Sequence, residues 1–120
     1  MHVLVVDDSA DIRLMLRLLL EDAGMEVDEA VSGPDALERL ACEAHQPDVV
    51  VLDQRMPEMT GIEVARELAD RGPHPPLVLF SAYLHPTLYA EATALGVAAI
   101  VKTDLNLLVD VLRSTQGVAA

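Results

Sequence analysis

The chain has 120 residues, 52% of them hydrophobic, and 20 acidic against 8 basic side chains give a formal net charge of −12. That length holds one domain with a real core and leaves little room for a second, and the apolar content argues against disorder over most of the chain. The negative charge repels phosphate backbones and anionic lipid, and with no Trp, one Phe and two Tyr there is no platform for stacking bases, so neither nucleic acid nor membrane is expected as a direct partner.

The single cysteine, Cys42, excludes an internal disulfide or a cysteine-rich metal site and is expected to pack as a small apolar group on a helix. The N-terminal apolar run is too short for a signal peptide, and no stretch approaches the roughly 18 apolar residues of a membrane span. Together these features describe an acidic, soluble, cytoplasmic domain.

His2 to Val6 reads as a strand buried on both faces and ends at Asp7-Asp8. From Ala10 to Asp22 the period becomes helical, with Ile12, Met15, Leu16 and Leu19 forming the inward stripe and Gly24 the stop. Met25 to Ala30 is a less apolar edge strand. Ser32 caps a second helix, with Asp35 as an imperfect capping box and Leu37, Leu40, Ala41 and Ala44 inward. After Pro47, Asp48 to Asp53 is an apolar strand ending in a carboxylate. The loop Gln54 to Gly61 leads into a helix with Ile62, Ala65, Leu68 and Ala69 inward. Gly72 to Pro76 is a turn, and Leu77 to Ser81 is the fourth strand. Pro86 opens a helix lined by Leu88, Ala92 and Leu95, which Gly96 ends. Ala98 to Val101 is the fifth strand. Leu105, Leu108, Val109 and Leu112 form the last stripe, and residues 114–120 carry no pattern and read as a flexible tail or linker stub.

Five strands alternating with five helices through short connections predict an α/β fold, a doubly wound parallel sheet covered on both faces. Functional groups in such a sheet gather outside the carboxyl ends of the strands. Those ends carry Asp7-Asp8, Asp53, Ser81 and Lys102. Three converging carboxylates repel unless a cation lies between them, and hard oxygens are what Mg²⁺ requires. A cation, a lysine and a hydroxyl around one carboxylate suit a phosphoryl group, which Asp53 would take up as an acyl phosphate.

At this point the sequence resembles the receiver domains of two-component response regulators, the CheY-like family. The resemblance runs from Val3 to about Leu112, with residues 1–113 as the receiver domain. It rests on Asp7-Asp8, on Asp53-Gln54-Arg55-Met56-Pro57 with Gly61 (D-x-x-M-P-x-x-x-G), on Ser81-Ala82 and on Lys102. It implies a five-stranded (βα)5 flavodoxin-like fold with strand order 2-1-3-4-5. It also implies that Asp53 is the phosphoacceptor, that Asp8, Asp53 and the Arg55 backbone carbonyl ligate Mg²⁺, and that Asp7 acts through metal-bound water. Ser81 would be the switch hydroxyl, Lys102 the partner of a phosphoryl oxygen, and the side chains of Arg55 and Tyr83 would tune self-dephosphorylation. The implied partners are a sensor histidine kinase or phosphotransfer protein and a downstream output domain or protein, with a possible dimer through helix four, strand five and helix five.

The sequence departs from the family pattern twice. Ala99 stands where receivers usually carry Tyr or Phe, so the usual ring rotation has no counterpart there. Thr103 stands where proline usually follows the lysine, so a trans Lys102-Thr103 bond is expected. Both changes motivate an alternative, a phosphorylation-independent binding module. A magnesium-dependent aspartyl-phosphate phosphatase fits the chemistry but not the architecture, because 120 residues leave no cap domain or deep substrate pocket. The four histidines, His2, His45, His74 and His85, lack metal-ligand spacing and read as surface residues.

Overall fold

The computed structural model describes residues 1–42, 44 and 46–119; Glu43, His45 and Ala120 fall outside that range. The elements follow in the order β1 (His2–Val6), α1 (Ala10–Asp22), β2 (Glu26–Ala30), α2 (Gly33–Leu40), β3 (Val49–Leu52), α3 (Gly61–Arg71), β4 (Leu77–Ser81), α4 (Pro86–Ala94), β5 (Ala98–Val101) and α5 (Leu105–Ala119). All strand pairs are parallel and the order is β2-β1-β3-β4-β5, as the family resemblance implies.

Every residue of β3 and β4 is buried. Alternate side chains feed two cores, because successive residues of a strand point to opposite faces. Leu4, Val6, Val50, Leu52, Leu77 and Leu79 meet α2, α3 and α4 on one face. Val3, Val5, Val49, Val51, Val78 and Phe80 meet α1 and α5 on the other.

Several helix faces differ in detail from the sequence reading. On α1 the buried residues are Leu16 and Leu20, while Met15 is 36% exposed, because tertiary packing chooses between two overlapping apolar stripes. On α3 Val64 is buried and Ala69 is exposed. The second helix stops at Leu40, so Ala41 and Ala44 are exposed, and Cys42 lies in exposed irregular chain and not in a helix. Residues 114–119 continue α5 and are not a tail without structure. Adding residues to an existing helix is cheap once it is nucleated, even where the apolar stripe has ended.

Local signals set the helix ends. Ser9, Ser32 and Thr60 each accept an N–H two or three residues into α1, α2 and α3. Gly24, with φ 88°, supplies the left-handed turn that ends α1. None of the helices among the described residues is long and apolar enough to cross a membrane.

Candidate functional site

The strand order reverses between β1 and β3, which makes their carboxyl ends the natural site of this fold. Val6 pairs with Leu52, so the residues that follow, Asp7 and Asp53, emerge side by side. The Asp53 amide donates to the Val6 carbonyl at 2.9 Å, which fixes that register. Ser81 pairs with Val101, and the Lys102 amide donates to the Ser81 carbonyl at 2.8 Å. Sheet geometry thus brings Asp7, Asp8, Asp53, Ser81 and Lys102 to one edge, as the strand ends predict.

Asp7, Asp53 and Ser81 are buried, whereas Asp8 is exposed. Lys102 Nζ bridges two carboxylates, at 2.9 Å from Asp53 Oδ1 and 3.1 Å from Asp7 Oδ2. The other Asp7 oxygen accepts the Ser9 amide at 2.9 Å. Asp7 therefore spends one oxygen on Lys102 and one on the start of α1; Ser9 caps the helix.

Burial pushes the Asp53 carboxyl above the ordinary aspartate value. The Lys102 hydrogen bond works against that rise, and the charges of Asp7 and Asp8 add to it. For Lys102, burial pulls the ammonium down, but its hydrogen bonds to Asp53 and Asp7 prevail and the net direction is upward. The lysine is a firmly charged cation among carboxylates that repel one another.

One oxygen from each of Asp7, Asp8 and Asp53 lies within 4.8 Å of the others, a spacing one cation can bridge. All three are hard carboxylate donors, and the exposed Asp8 leaves room for metal-bound water, so the donor set fits Mg²⁺. Beside it opens a cavity of about 380 Å³ lined by Asp53, Arg55, Ser81, Tyr83, His85 and Lys102, among others.

The β3–α3 loop explains the motif around Asp53. Gly61 packs so tightly that an added Cβ would collide with the Asp53 carbonyl oxygen and with Leu79 Cδ1. Gln54 closes the loop: its Oε1 accepts the Ile62 amide at 2.9 Å and its carbonyl accepts the Gly61 amide at 3.1 Å. Pro57 to Met59 forms a three-residue turn with a 2.8 Å hydrogen bond, at the cost of φ 70° at Glu58. Gly61 is thus a backbone-clearance residue that lets α3 start against the Asp53 peptide.

Ser81 Oγ donates to the Tyr83 carbonyl at 3.1 Å, tying the end of β4 to the following loop. Tyr83 and Tyr89 are both exposed. His85 has a role that its sequence context hid. Its Nδ1 accepts the Thr87 amide at 3.1 Å and caps α4, with Pro86 in the first turn. The only hint was its place before that proline, since histidine is an uncommon cap. Arg13 was also missed; its Nη1 donates to the Asp7 carbonyl at 2.7 Å. The Lys102-Thr103 peptide is trans, as expected.

The response regulator receiver domain family matches residues 3–113. The chain is 37% identical over 96 residues to the chemotaxis protein CheY of Thermotoga maritima, covering 79% of this chain and 78% of that protein. It is 42% identical over 84 residues to a protein-glutamate methylesterase/protein-glutamine glutaminase of Hahella chejuensis, covering 69% of this chain. The match spans only 24% of that relative's length. Among solved structures, the response regulator TrrA of Thermotoga maritima in complex with Mg²⁺–BeF is similar with a TM-score of 0.83 at 29% identity. That match covers 95% of this chain and 97% of the other. The chain therefore belongs to the response regulator receiver domain family, and its acidic edge is the phospho-accepting site of a phosphorylation-controlled switch.

Proposed function

We propose that Asp53 is the acceptor and that the donor is a phosphohistidine on a sensor kinase or phosphotransfer protein. The observation that carries this reading is Asp53 itself, a buried carboxylate held at 2.9 Å by Lys102 and crowded by Asp7 and Asp8. A carboxylate oxygen of Asp53 attacks phosphorus, the phosphorus–nitrogen bond of the donor breaks, and the imidazole leaves with its electron pair. Bound Mg²⁺ supplies charge neutralisation on the phosphoryl oxygens. Lys102, already within reach of Asp53, would pair with one of those oxygens, and Asp8 and Asp53 with the Arg55 carbonyl would hold the ion. Asp7 keeps its hydrogen bonds and acts through water.

Ser81 couples the event to the rest of the fold. Its hydroxyl has a single proton to give, now donated to Tyr83. Donation to a phosphoryl oxygen would release the Tyr83 carbonyl and with it the loop that carries His85 and the α4 cap. The side chains of Arg55 and Tyr83 line the same cavity and would tune hydrolysis of the acyl phosphate. The output is a change in affinity for a partner protein or output domain in the cytoplasm, with α4, β5 and α5 as a possible dimer face.

The donor must approach along a surface next to the site. The outward side of α1, which begins two residues after Asp8, carries Leu14 at 55% and Leu18 at 61% exposure, with Met15 between them. That apolar face is the proposed seat for the donor.

Intact-mass spectrometry after treatment with acetyl phosphate and Mg²⁺ tests the acceptor. Wild type should gain one phosphoryl group and D53N none. Stoichiometric labelling of D53N elsewhere would overturn the assignment.

A further inference from the structure

Arg13 lies in the first turns of α1 and reaches back to the acidic edge. Its Nη1 donates to the Asp7 carbonyl at 2.7 Å and its Nε to Glu29 Oε1 of β2 at 3.0 Å. The second Glu29 oxygen accepts Arg17 Nε at 2.7 Å. The Arg13 side chain is only 14% exposed, so it is enclosed by these partners and not spread on the surface. The Arg17 hydrogen bond, opposed by burial and reinforced by Arg13, holds the Glu29 carboxyl below the ordinary glutamate range. Glu29 is thus an anion that fixes the planar Arg13 fork from behind.

The carbonyl that Arg13 holds belongs to the peptide bond joining Asp7 to Asp8. That unit is planar, so fixing its oxygen fixes the plane from which the Asp8 backbone departs. The two carboxylates on either side of it differ in surroundings, Asp7 buried against Lys102 and the Ser9 amide and Asp8 exposed, yet each brings an oxygen within 4.8 Å of the other. We propose that Arg13 is a positioning residue for the divalent cation, setting the Asp8 carboxylate against Asp53 through the Asp7–Asp8 peptide, with Glu29 and Arg17 setting Arg13. This inference rests on the reading of Asp7, Asp8 and Asp53 as the Mg²⁺ site.

Charge alone gives the opposite sign. A guanidinium close to the site repels a dication, so its removal would tighten binding. Positioning predicts weaker binding, because losing a group that orients a metal ligand costs roughly tenfold or more in affinity. Lysine at this position keeps the charge and loses the fork, which separates the two effects.

The test is an Mg²⁺ titration followed by the backbone NMR shifts of Asp8, Ser9 and Asp53, without any phosphodonor, on wild type, R13Q, R13K and E29Q. Melting in metal-free buffer confirms that each variant is folded, and R13K decides the question if R13Q is not. R13Q and R13K should both bind Mg²⁺ roughly tenfold more weakly than wild type, E29Q should fall between, and the metal-free Asp8 and Ser9 shifts should already be displaced. Wild-type affinity in R13K, or tighter binding in R13Q, would overturn the role of Arg13 while leaving the metal site intact. A wild type that shows no Mg²⁺-dependent shift would remove the site reading and this inference with it.

Discussion

The charged form of Asp53 is disfavoured by its own surroundings. Burial raises its carboxyl, Lys102 opposes the rise, and Asp7 and Asp8 reinforce it. A group whose folded-state pKa lies above its unfolded value contributes stability that is fully present below the unfolded value and lost as pH rises through the folded one. In metal-free buffer, the stability of wild type relative to D53N should therefore fall as pH rises from the ordinary aspartate value of 3.8 and level off above the raised value. At neutral pH D53N should melt above wild type, and Mg²⁺ should narrow the gap. Denaturant melts from acid to neutral pH check this; a D53N that is less stable at neutral pH without metal contradicts it. Glu58 offers a second test at this scale. Its φ of 70° suits Gly far better than Glu. Glu58→Gly should stabilise the fold by about 1 kcal/mol, a rise in melting temperature of about 4 °C; an unchanged or lower melting temperature would show that the turn is not strained.

Among the elements, α1 serves two surfaces. Leu16 and Leu20 anchor it to the sheet, while Leu14 and Leu18, one helical turn apart, are exposed. Leu18→Glu should slow phosphoryl transfer from a phosphohistidine donor about tenfold or more, which is the scale of a buried interface leucine, yet leave labelling by acetyl phosphate unchanged. Equal loss with both donors would mean that the substitution damages the site and not a docking face. The same helix shows where sequence reading reaches its limit. Leu14-Met15-Leu16 and Leu18-Leu19-Leu20 satisfy more than one stripe, and only the packing against Val3 and Val5 decides which turns inward. The strands were legible because β3 and β4 are buried on both faces and so read as unbroken apolar runs. The site was legible because its residues stand at strand ends. Arg13 and His85 were not, since the partners that define them, the Asp7 carbonyl and the Thr87 amide, are set by the fold around them and carry no side-chain pattern. The end of α5 escaped notice because its apolar stripe stops at Leu112 while the helix runs to Ala119.

For the molecule as a whole, the question is how an event at Asp53 becomes visible to a partner. Ala99 has no ring to rotate, and it is partly buried against the core shared by α2, α3 and α4. The path that remains runs from Ser81 through the Tyr83 carbonyl to the His85 cap and α4. In α4 only Ala92 is fully buried, and Leu88 with the flanking Leu84 and Leu95 packs at the margin of the core, so the segment is lightly held. A pair of charges, Arg66 with Glu91, ties it to α3. Phosphorylation should shift the population of the Ser81–Leu95 segment as a unit and alter the surface that carries Tyr83 and Tyr89. The most direct measurement is the set of backbone NMR shifts with and without beryllofluoride in the presence of Mg²⁺. Large changes should extend from Ser81 through Tyr89, with small ones in α2. Changes confined to the neighbours of Asp53, Ser81 and Lys102 would contradict the switch and favour a binding module that signals without phosphorylation.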